Sequence, residues 1–373
     1  MREPVESRRN RILAVVHARG AVKVSSLAEE LDVSAVTLRR DVEELARAGM
    51  LRRGHGVVRP MGGVERPAAV PAPRSGEPAG EGGAIALVVP ERHSYLYETL
   101  HGARTALEAA GAHITLRIAP QAAGAERPQV ERALAAGVRG LLIAPRWRSR
   151  EGEEADYGWL AEVGVPTVLM ERRPRPGSVL HALDSVCSDH WYGIHLAVDH
   201  LVSLGHRRLV LAARNDSPTA RSIRAAFAEI AAARPEVEEW AVVLSSPTAG
   251  PGEPGSREEA PDLAALMRRR GFTGAVLHGD EDALMLVQKL AENGIQVPRD
   301  CSVVAYDDVV AALGSTSLTA VAPPRGEIGR AAAELLMHRL ERPAGASGPV
   351  RRVELLPGLE VRGSTRAVPR SPE

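Results

Sequence analysis

Cysteine is almost missing from this chain of 373 residues, with only Cys187 and Cys301 present. Two cysteines so far apart supply neither a disulfide framework nor a paired-cysteine metal signature. No apolar run approaches the ~20 residues needed to span a bilayer, and the N-terminus MREPVESRRNRIL has no signal-peptide stretch. A cytoplasmic location is therefore the default expectation. Net charge is zero, which excludes a strongly basic or acidic chain as a whole. Catalytic signatures are missing too: there is no nucleophile elbow and no phosphate-cradling glycine loop. The twelve histidines are scattered. His190, His195 and His200 recur every fifth residue, which turns successive side chains about 140° apart on a helix, whereas a zinc pair needs a spacing near four. No catalytic residue, metal or cofactor is expected, and the chain reads as a non-enzyme.

What is present is distributed unevenly. Residues 1–60 hold twelve Lys and Arg against eight Asp and Glu, so the basic excess sits at the N-terminal end, where phosphate attraction would operate. There, residues 24–56 read VSSLAEELDVSAVTLRRDVEELARAGMLRRGHG. Ser25 can cap a short helix whose apolar face is Leu27, Ala28 and Leu31. After a polar turn at Asp32, Ser34 can cap a second helix reaching about Ala48, with Gly49 at a helix-stop position. If Leu38, Val42 and Leu45 face inward at 3.6 periodicity, Val36, Arg39, Arg40, Glu43 and Arg47 point outward. Ile12, Leu13, Val15 and Val16 supply a first helix, and Met50 to Val58 reads as a returning ribbon. The sum is a winged helix-turn-helix.

The run LAEELDVSAVTLRRDVEELARAGMLRRGHG resembles the DeoR-type winged helix-turn-helix signature. The wing has His55, Gly56, Val57 and Val58 where that family carries His-Gly-Gly-Ala. The resemblance implies DNA contacts from Ser34, Thr37, Arg39 and Arg40. Arg47 on the same helix and Arg52 and His55 in the wing complete the expected DNA-binding set. The alternative for the arginines is an ordinary solvated helix face.

At this length two or three compact units are expected. Between the first unit, 1–59, and the rest lies 60–83, where 11 of 24 residues are Pro or Gly, the composition of a flexible linker. Ser246 to Pro261 reads as a mobile surface loop. From Ala84 the chain alternates apolar runs with helical patterns. AIALVVP, HITLRIA, GLLIAP and PTVLM, then RRLVLAA, WAVVLS, GAVLHG and SVVAY, read as buried strands. Helices are expected near Tyr95, Glu126 and Tyr157, and at about 191–204 before Gly205. This alternation argues for parallel sheets with helices on both faces, and two runs of strands argue for two lobes.

Within this part, SDHWYGIHLAVDHLVSLGHRRLVL and VPRDCSVVAYDDVVAALGSTSLTAVAPPRGEIGRAAAELLMHRL look like signatures of LacI/GalR-type sensor domains. The resemblance implies the fold class: α/β, a two-lobed periplasmic-binding-protein-like (type I) sensor, here with an N-terminal winged helix-turn-helix domain. It places the sensor at 84–365, with crossings near 206, 321 and 345. Lobe 1 is then 84–205 and 322–342, and lobe 2 is 206–320 and 346–365. Residues 366–373 are expected to be a disordered tail. DeoR-type proteins more often carry a sugar-phosphate-isomerase-like sensor, which the motif order here does not resemble. Nor does the linker show the helical apolar pattern by which LacI-type regulators couple to DNA, so dimer geometry is the expected coupling.

Ligands of such lobes sit at strand carboxyl ends in the interlobe cleft. The resemblance carries an effector role to Asp307 and Asp189, with helix capping as the other reading of Asp307. His190 stands where the family has asparagine beside Asp189. Asp280 is either a ligand contact or a cap, with Gly279 in the place of another asparagine. The family's cleft arginine falls on Ile223, leaving Arg221, ahead of Arg224, as its substitute. Only eleven aromatics occur, yet Tyr95, Tyr97, Trp147 and Trp191 all follow strands or start helices, and sugar rings stack on such faces. Tyr95, Trp147, Asp189, Trp191, Arg221, Asp280 and Asp307 form the expected effector set. The expectation is a ligand-responsive transcription regulator, a repressor of carbohydrate genes, with operator DNA, a neutral sugar effector and a homodimeric partner, and no membrane partner. A sensor that only dimerises, or a carbohydrate-binding protein without a regulatory role, are the alternatives.

Overall fold

A computed structural model describes residues 12, 22–24, 27, 33, 35–47, 51–54, 57–60, 83–91, 94–120, 122, 124–147, 156–249, 257–342 and 348–368. The chain divides into two compact units, Met1–Glu77 and Pro78–Glu373. Expectations for Ser25, Ser34, His55, most of the first helix and nearly all of the linker fall outside the described residues.

In the first unit the apolar spacing of Leu38, Val42 and Leu45 produces α1 (Ala35–Arg47), with all three at 1% exposure or less. They meet Ile12, Val22, Val24, Leu27, Leu51 and Val58 in one small core. A three-stranded sheet closes it, in the order β1 (Val22–Lys23), β3 (Val57–Pro60), β2 (Leu51–Gly54). The β2–β3 register pairs Leu51 with Pro60 and Gly54 with Val57, so only His55 and Gly56 separate the two strands. Helix and wing thus share one apolar interior, because Leu51 and Val58 alternate inward at strand period 2.

The second unit is built on two six-stranded sheets. Lobe 1 contains β4 (Ile85–Pro90), β5 (Ile114–Ala119), β6 (Gly140–Ile143), β7 (Thr167–Met170), β8 (Asp184–Ser188) and β16 (Arg352–Leu355), all parallel in the order β16-β8-β7-β6-β4-β5. Its helices are α2 (Tyr97–Ala109), α3 (Glu126–Ala135) and α8 (Arg325–Leu340). Lobe 2 contains β9 (Arg208–Ala212), β10 (Glu239–Val243), β13 (Gly274–His278), β14 (Ser302–Tyr306), β15 (Thr319–Ala322) and β17 (Gly358–Glu360), ordered β10-β9-β13-β14-β15-β17 with only β17 antiparallel. Its helices are α4 (His190–Ser203), α5 (Pro218–Ala233), α6 (Leu263–Arg270) and α7 (Asp280–Glu292). Strands β4, β6, β7, β8, β13 and β14 are buried at every residue, because helices cover both faces of a parallel sheet. All but β8 read as apolar runs, whereas β8, DSVCS, buries Asp184, Ser185 and Ser188 and is not among the strands expected from the sequence.

Helices α2 and α8 pack closely on one face of the lobe 1 sheet. Their approach depends on glycine. A Cβ at Gly102 would lie 2.0 Å from the Gly326 carbonyl oxygen, and one at Gly329 would lie 1.8 Å from that of Thr99.

The lobe boundaries differ from the sequence expectation. Helix α4, assigned to lobe 1, packs Ile194, Ala197, Val198 and Leu201 into the lobe 2 core with α5, so the first crossing lies between Ser188 and His190, not near 206. The second falls between Ala322 and Arg325, close to the expected 321. The third is at 356–357 rather than 345, because β16 pairs with β8 of lobe 1 before the chain crosses. At Tyr157 the chain is helical, as expected: Asp156 and Tyr157 lie in a helix whose preceding residues, 151–155, are outside the described ones, and a 3-10 turn, Gly158–Glu162, follows. Ser246–Pro261 carries a two-residue ladder, β11 (Thr248–Ala249) with β12 (Arg257–Glu258), while 250–256 lie outside the described residues. The expected tail begins too early: the Arg366 and Val368 amides donate to Ser302 Oγ and Leu204 O at 2.9 and 2.8 Å, and 369–373 lie outside the described residues.

Candidate effector cleft and DNA-reading helix

Parallel strands of both lobes end against the same space. Glu171 follows β7, Ser188 ends β8, His278 ends β13, Asp307 follows β14 and Pro323 follows β15. With Tyr95, Arg172, His190, the Ser217–Thr219 start of α5, and Arg325, they line a cavity of about 120 Å³. Strand carboxyl ends at a lobe boundary are where doubly wound folds bind ligands.

Charge in this cavity is balanced and engaged. Arg325, 5% exposed, donates from Nη2 to Asp307 Oδ1 at 2.9 Å and from Nη1 to the Asp307 carbonyl. Arg172 donates to the Glu171 carbonyl at 2.7 Å, to Tyr95 Oη at 3.1 Å and to the Pro145 carbonyl. The Glu171 carboxylate accepts from the Ser188 amide at 3.2 Å and from Ser188 Oγ at 3.3 Å. Burial pushes the Glu171 carboxyl above the usual carboxylate range, opposed by the Ser188 amide and the two guanidiniums. Glu171 and Asp307 hold positive φ, 52° and 112°, as does Asp308 at 54°. Such conformations cost free energy in non-glycine residues and concentrate at functional sites.

Behind the two lining histidines lies a buried tyrosine. Tyr306 is fully buried, and its hydroxyl lies 3.1 Å from His190 Nδ1, an approach possible because position 193 is glycine: a Cβ there would lie 2.4 Å from that oxygen. His278 meets Tyr306 edge-on at 6.1 Å between ring centroids. Burial, with His278, Arg172 and Arg325 nearby, pushes His190 down to about 3. Burial lowers His278 as well, against the pull of Asp307, Asp282 and Asp216. Both rings are therefore neutral at pH 7, and His278 Nδ1 is buried with no hydrogen-bond partner among the described residues.

Of the expected effector set, the structure brings Tyr95 and Asp307 to this cavity and leaves the others elsewhere. Asp189 caps α4, accepting from the Tyr192 amide at 2.9 Å. Asp280, 3% exposed, accepts from the amides of Asp308, Val309 and Val310 and so organises the turn after Asp307. Trp147 is a core residue at 1% exposure, packed with Leu160 and Leu180. Trp191 lies half-buried against the lobe 2 core. Arg221 reaches across the cleft instead, donating to the Trp147 carbonyl at 2.9 Å, while Arg224 holds the carbonyls of Ala213 and Val243. Ile223 is fully buried in the core, and Tyr97 is exposed outside the cavity.

Sequence reasoning missed Glu171, Arg172, Ser188, Ser217, His278 and Arg325, and noted His190 only as the residue in the place of the family's asparagine. The strand-end rule could have found Glu171, Arg172 and His278, each at the end of a recognised strand. Nothing local marks Arg325, which lies at a lobe crossing.

In the first unit, Arg40 and Glu43 are exposed on α1, and Thr37 is half-buried. Arg39 and Arg47 lie on α1 and Arg52 on β2. The outer face of α1, beside a two-stranded wing, has the form of a groove-reading element.

Residues 8–61 match the DeoR-like helix-turn-helix domain, and residues 198–365 match the periplasmic binding protein-like domain. The chain joins these two domains. It is similar to the arabinose metabolism transcriptional repressor of Geobacillus stearothermophilus, 26% identical over 76% of this chain and 77% of that one. It is also similar to the transcriptional regulator MalR of Streptomyces coelicolor, 30% identical over 62% of this chain and 66% of that one. Among solved structures, a LacI family regulator from Enterococcus faecium with bound ribose superposes at a TM-score of 0.58 with 22% identity, over 77% of this chain and 100% of the other. The lac repressor dimer bound to operator superposes at 0.60 with 20% identity, over 78% and 96%. These two show the same fold. The chain is a transcription regulator and not an enzyme.

Proposed function

We propose that this regulator represses carbohydrate genes as a homodimer, reads operator DNA with α1 and its wing, and responds to one neutral sugar held between its lobes. The observation that carries the effector reading is the cavity at the strand ends, where Arg325 pairs with the Asp307 carboxylate and Arg172 is held by the carbonyls of Glu171 and Pro145 and by Tyr95. Among the described lining residues Glu171 and Asp307 set two carboxyl groups against the two guanidiniums, which disfavours a phosphate, while imidazoles and hydroxyls suit the donors and acceptors of a polyol. Relatives named as repressors of arabinose metabolism and the ribose-bound structural neighbour support the sugar class. Among the described residues no helix is long and apolar enough to cross a membrane, which accords with action on DNA in the cytoplasm.

DNA contacts are assigned to Thr37, Arg39, Arg40, Arg47 and Arg52, with Ser34 and His55 from the motif. Two half-sites about one helical turn apart fit a two-fold dimer. The test is a gel-shift titration on the DNA flanking the gene, with and without a panel of pentoses, hexoses and their phosphates. A neutral sugar is expected to change operator affinity and to raise the melting temperature. A sensor that only dimerises is the second reading, favoured by the burial of Ile223 where the family places its cleft arginine. A panel without effect on affinity or melting establishes that reading instead.

A further inference from the structure

We propose that His278 selects the effector by hydrogen-bonding a ring hydroxyl. This rests on the sugar-binding reading of the cavity and names the group that discriminates within it.

His278 is the last residue of β13 and lies on the cavity wall beside Asp307 and Arg325. It is 8% exposed, and its Nδ1 is shut off from solvent without a hydrogen-bond partner among the described residues. Buried polar atoms are nearly always satisfied, and an exception calls for a missing partner. The other charged and imidazole groups on this wall have protein partners: Glu171 holds Ser188, Arg172 holds Tyr95, Arg325 holds Asp307, and His190 holds Tyr306. A ligand therefore meets groups already oriented by the protein, plus one ring nitrogen that is not. A neutral imidazole can accept at one nitrogen and donate from the other, which suits a hydroxyl. Edge-on packing against the buried Tyr306 ring fixes the plane of the imidazole.

The experiment is calorimetry and thermal shift on the full chain with L-arabinose, D-ribose, D-xylose, D-galactose and maltose, for wild type, His278→Phe and His278→Gln. Circular dichroism and the sugar-free melting temperature report folding of each variant. A monosaccharide is expected to bind wild type. His278→Phe should lose tenfold or more in affinity for that monosaccharide, and His278→Gln, which keeps a donor and an acceptor, should recover most of it. Wild-type affinity in a folded His278→Phe overturns the role of His278 while leaving the sugar-binding reading intact. No binding of any sugar by wild type overturns the effector reading and this inference with it.

Discussion

Arg325 Nη2 lies 2.9 Å from Asp307 Oδ1, joining the first residue of α8 in lobe 1 to the residue that follows β14 in lobe 2. Because both flank the β15 crossing, their pair ties the lobes together at the hinge, and Arg325 also opposes the negative charge of buried Glu171.

Removing that guanidinium should leave the half-buried Asp307 carboxylate and the buried Glu171 without a cation near both. Arg325→Met is expected to destabilise the sensor by about 3 kcal/mol, the usual range when one partner of a buried pair is lost. Adding Asp307→Asn should recover part of the loss, since the residual charge is then smaller. Urea unfolding of the two single variants and the double variant forms the cycle. Strictly additive losses would show that the pair is not coupled.

The α2–α8 crossing offers a contrast between two glycines three residues apart. A Cβ at Gly329 would lie 1.8 Å from a backbone oxygen, whereas one at Gly326 meets nothing within 4 Å. Backbone cannot rotate away as a side chain can, so Gly329→Ala should cost about 2 kcal/mol or more despite the better helix propensity of alanine. Gly326→Ala should be neutral or stabilising by up to about 1 kcal/mol. Equal melting temperatures for the two variants would contradict the close packing of these helices.

Four histidines, His190, His200, His206 and His278, are pushed below their ordinary value chiefly by burial. A depressed histidine contributes stability that is present above its ordinary value, about 6.5, and is lost as pH falls, because the unfolded chain takes the proton first. For His190 that loss extends down toward about 3, with a slope of at most about 1.4 kcal/mol per pH unit. Glu171, pushed up by burial, acts in the opposite sense: its contribution is lost as pH rises through its folded value. The check is therefore a difference. Wild type should lose more stability between pH 7 and 5 than His190→Asn does, and identical pH slopes would remove His190 from the account.

On the DNA side, Arg40 is exposed on α1 while Leu38, Val42 and Leu45 anchor the helix from behind. Arg40→Ala is expected to weaken operator binding by about 1–3 kcal/mol and to relax preference at one base position if it reads a base edge. A uniform loss over all sequences, with a shallower salt dependence, places it on phosphate instead. Unchanged affinity in a gel shift at fixed salt withdraws Arg40 from the interface.

Local patterns were legible without coordinates. Leu38, Val42 and Leu45 recur at helical period, and their burial follows from that spacing alone. Runs such as GLLIAP and SVVAY declared parallel strands, because a strand covered on both faces must be apolar at every position. Asp307 was singled out by the family resemblance, directly after one of these strands, and it lies on the cavity wall.

The chain order of residues therefore determined the elements, the two-domain plan and one cleft carboxylate, all of which depend on neighbours within a few positions. Only the tertiary structure decided which lobe owns α4, since an apolar helix face fits either lobe until its partner α5 is in place. It also decided the composition of the cleft. Trp147 and Asp280 carry the right chemistry but turn into core and turn, whereas Glu171, His278 and Arg325 come from strand ends and a crossing far apart in sequence. Their meeting depends on how two sheets stack around three crossings, a long-range packing relation that no short window of residues encodes.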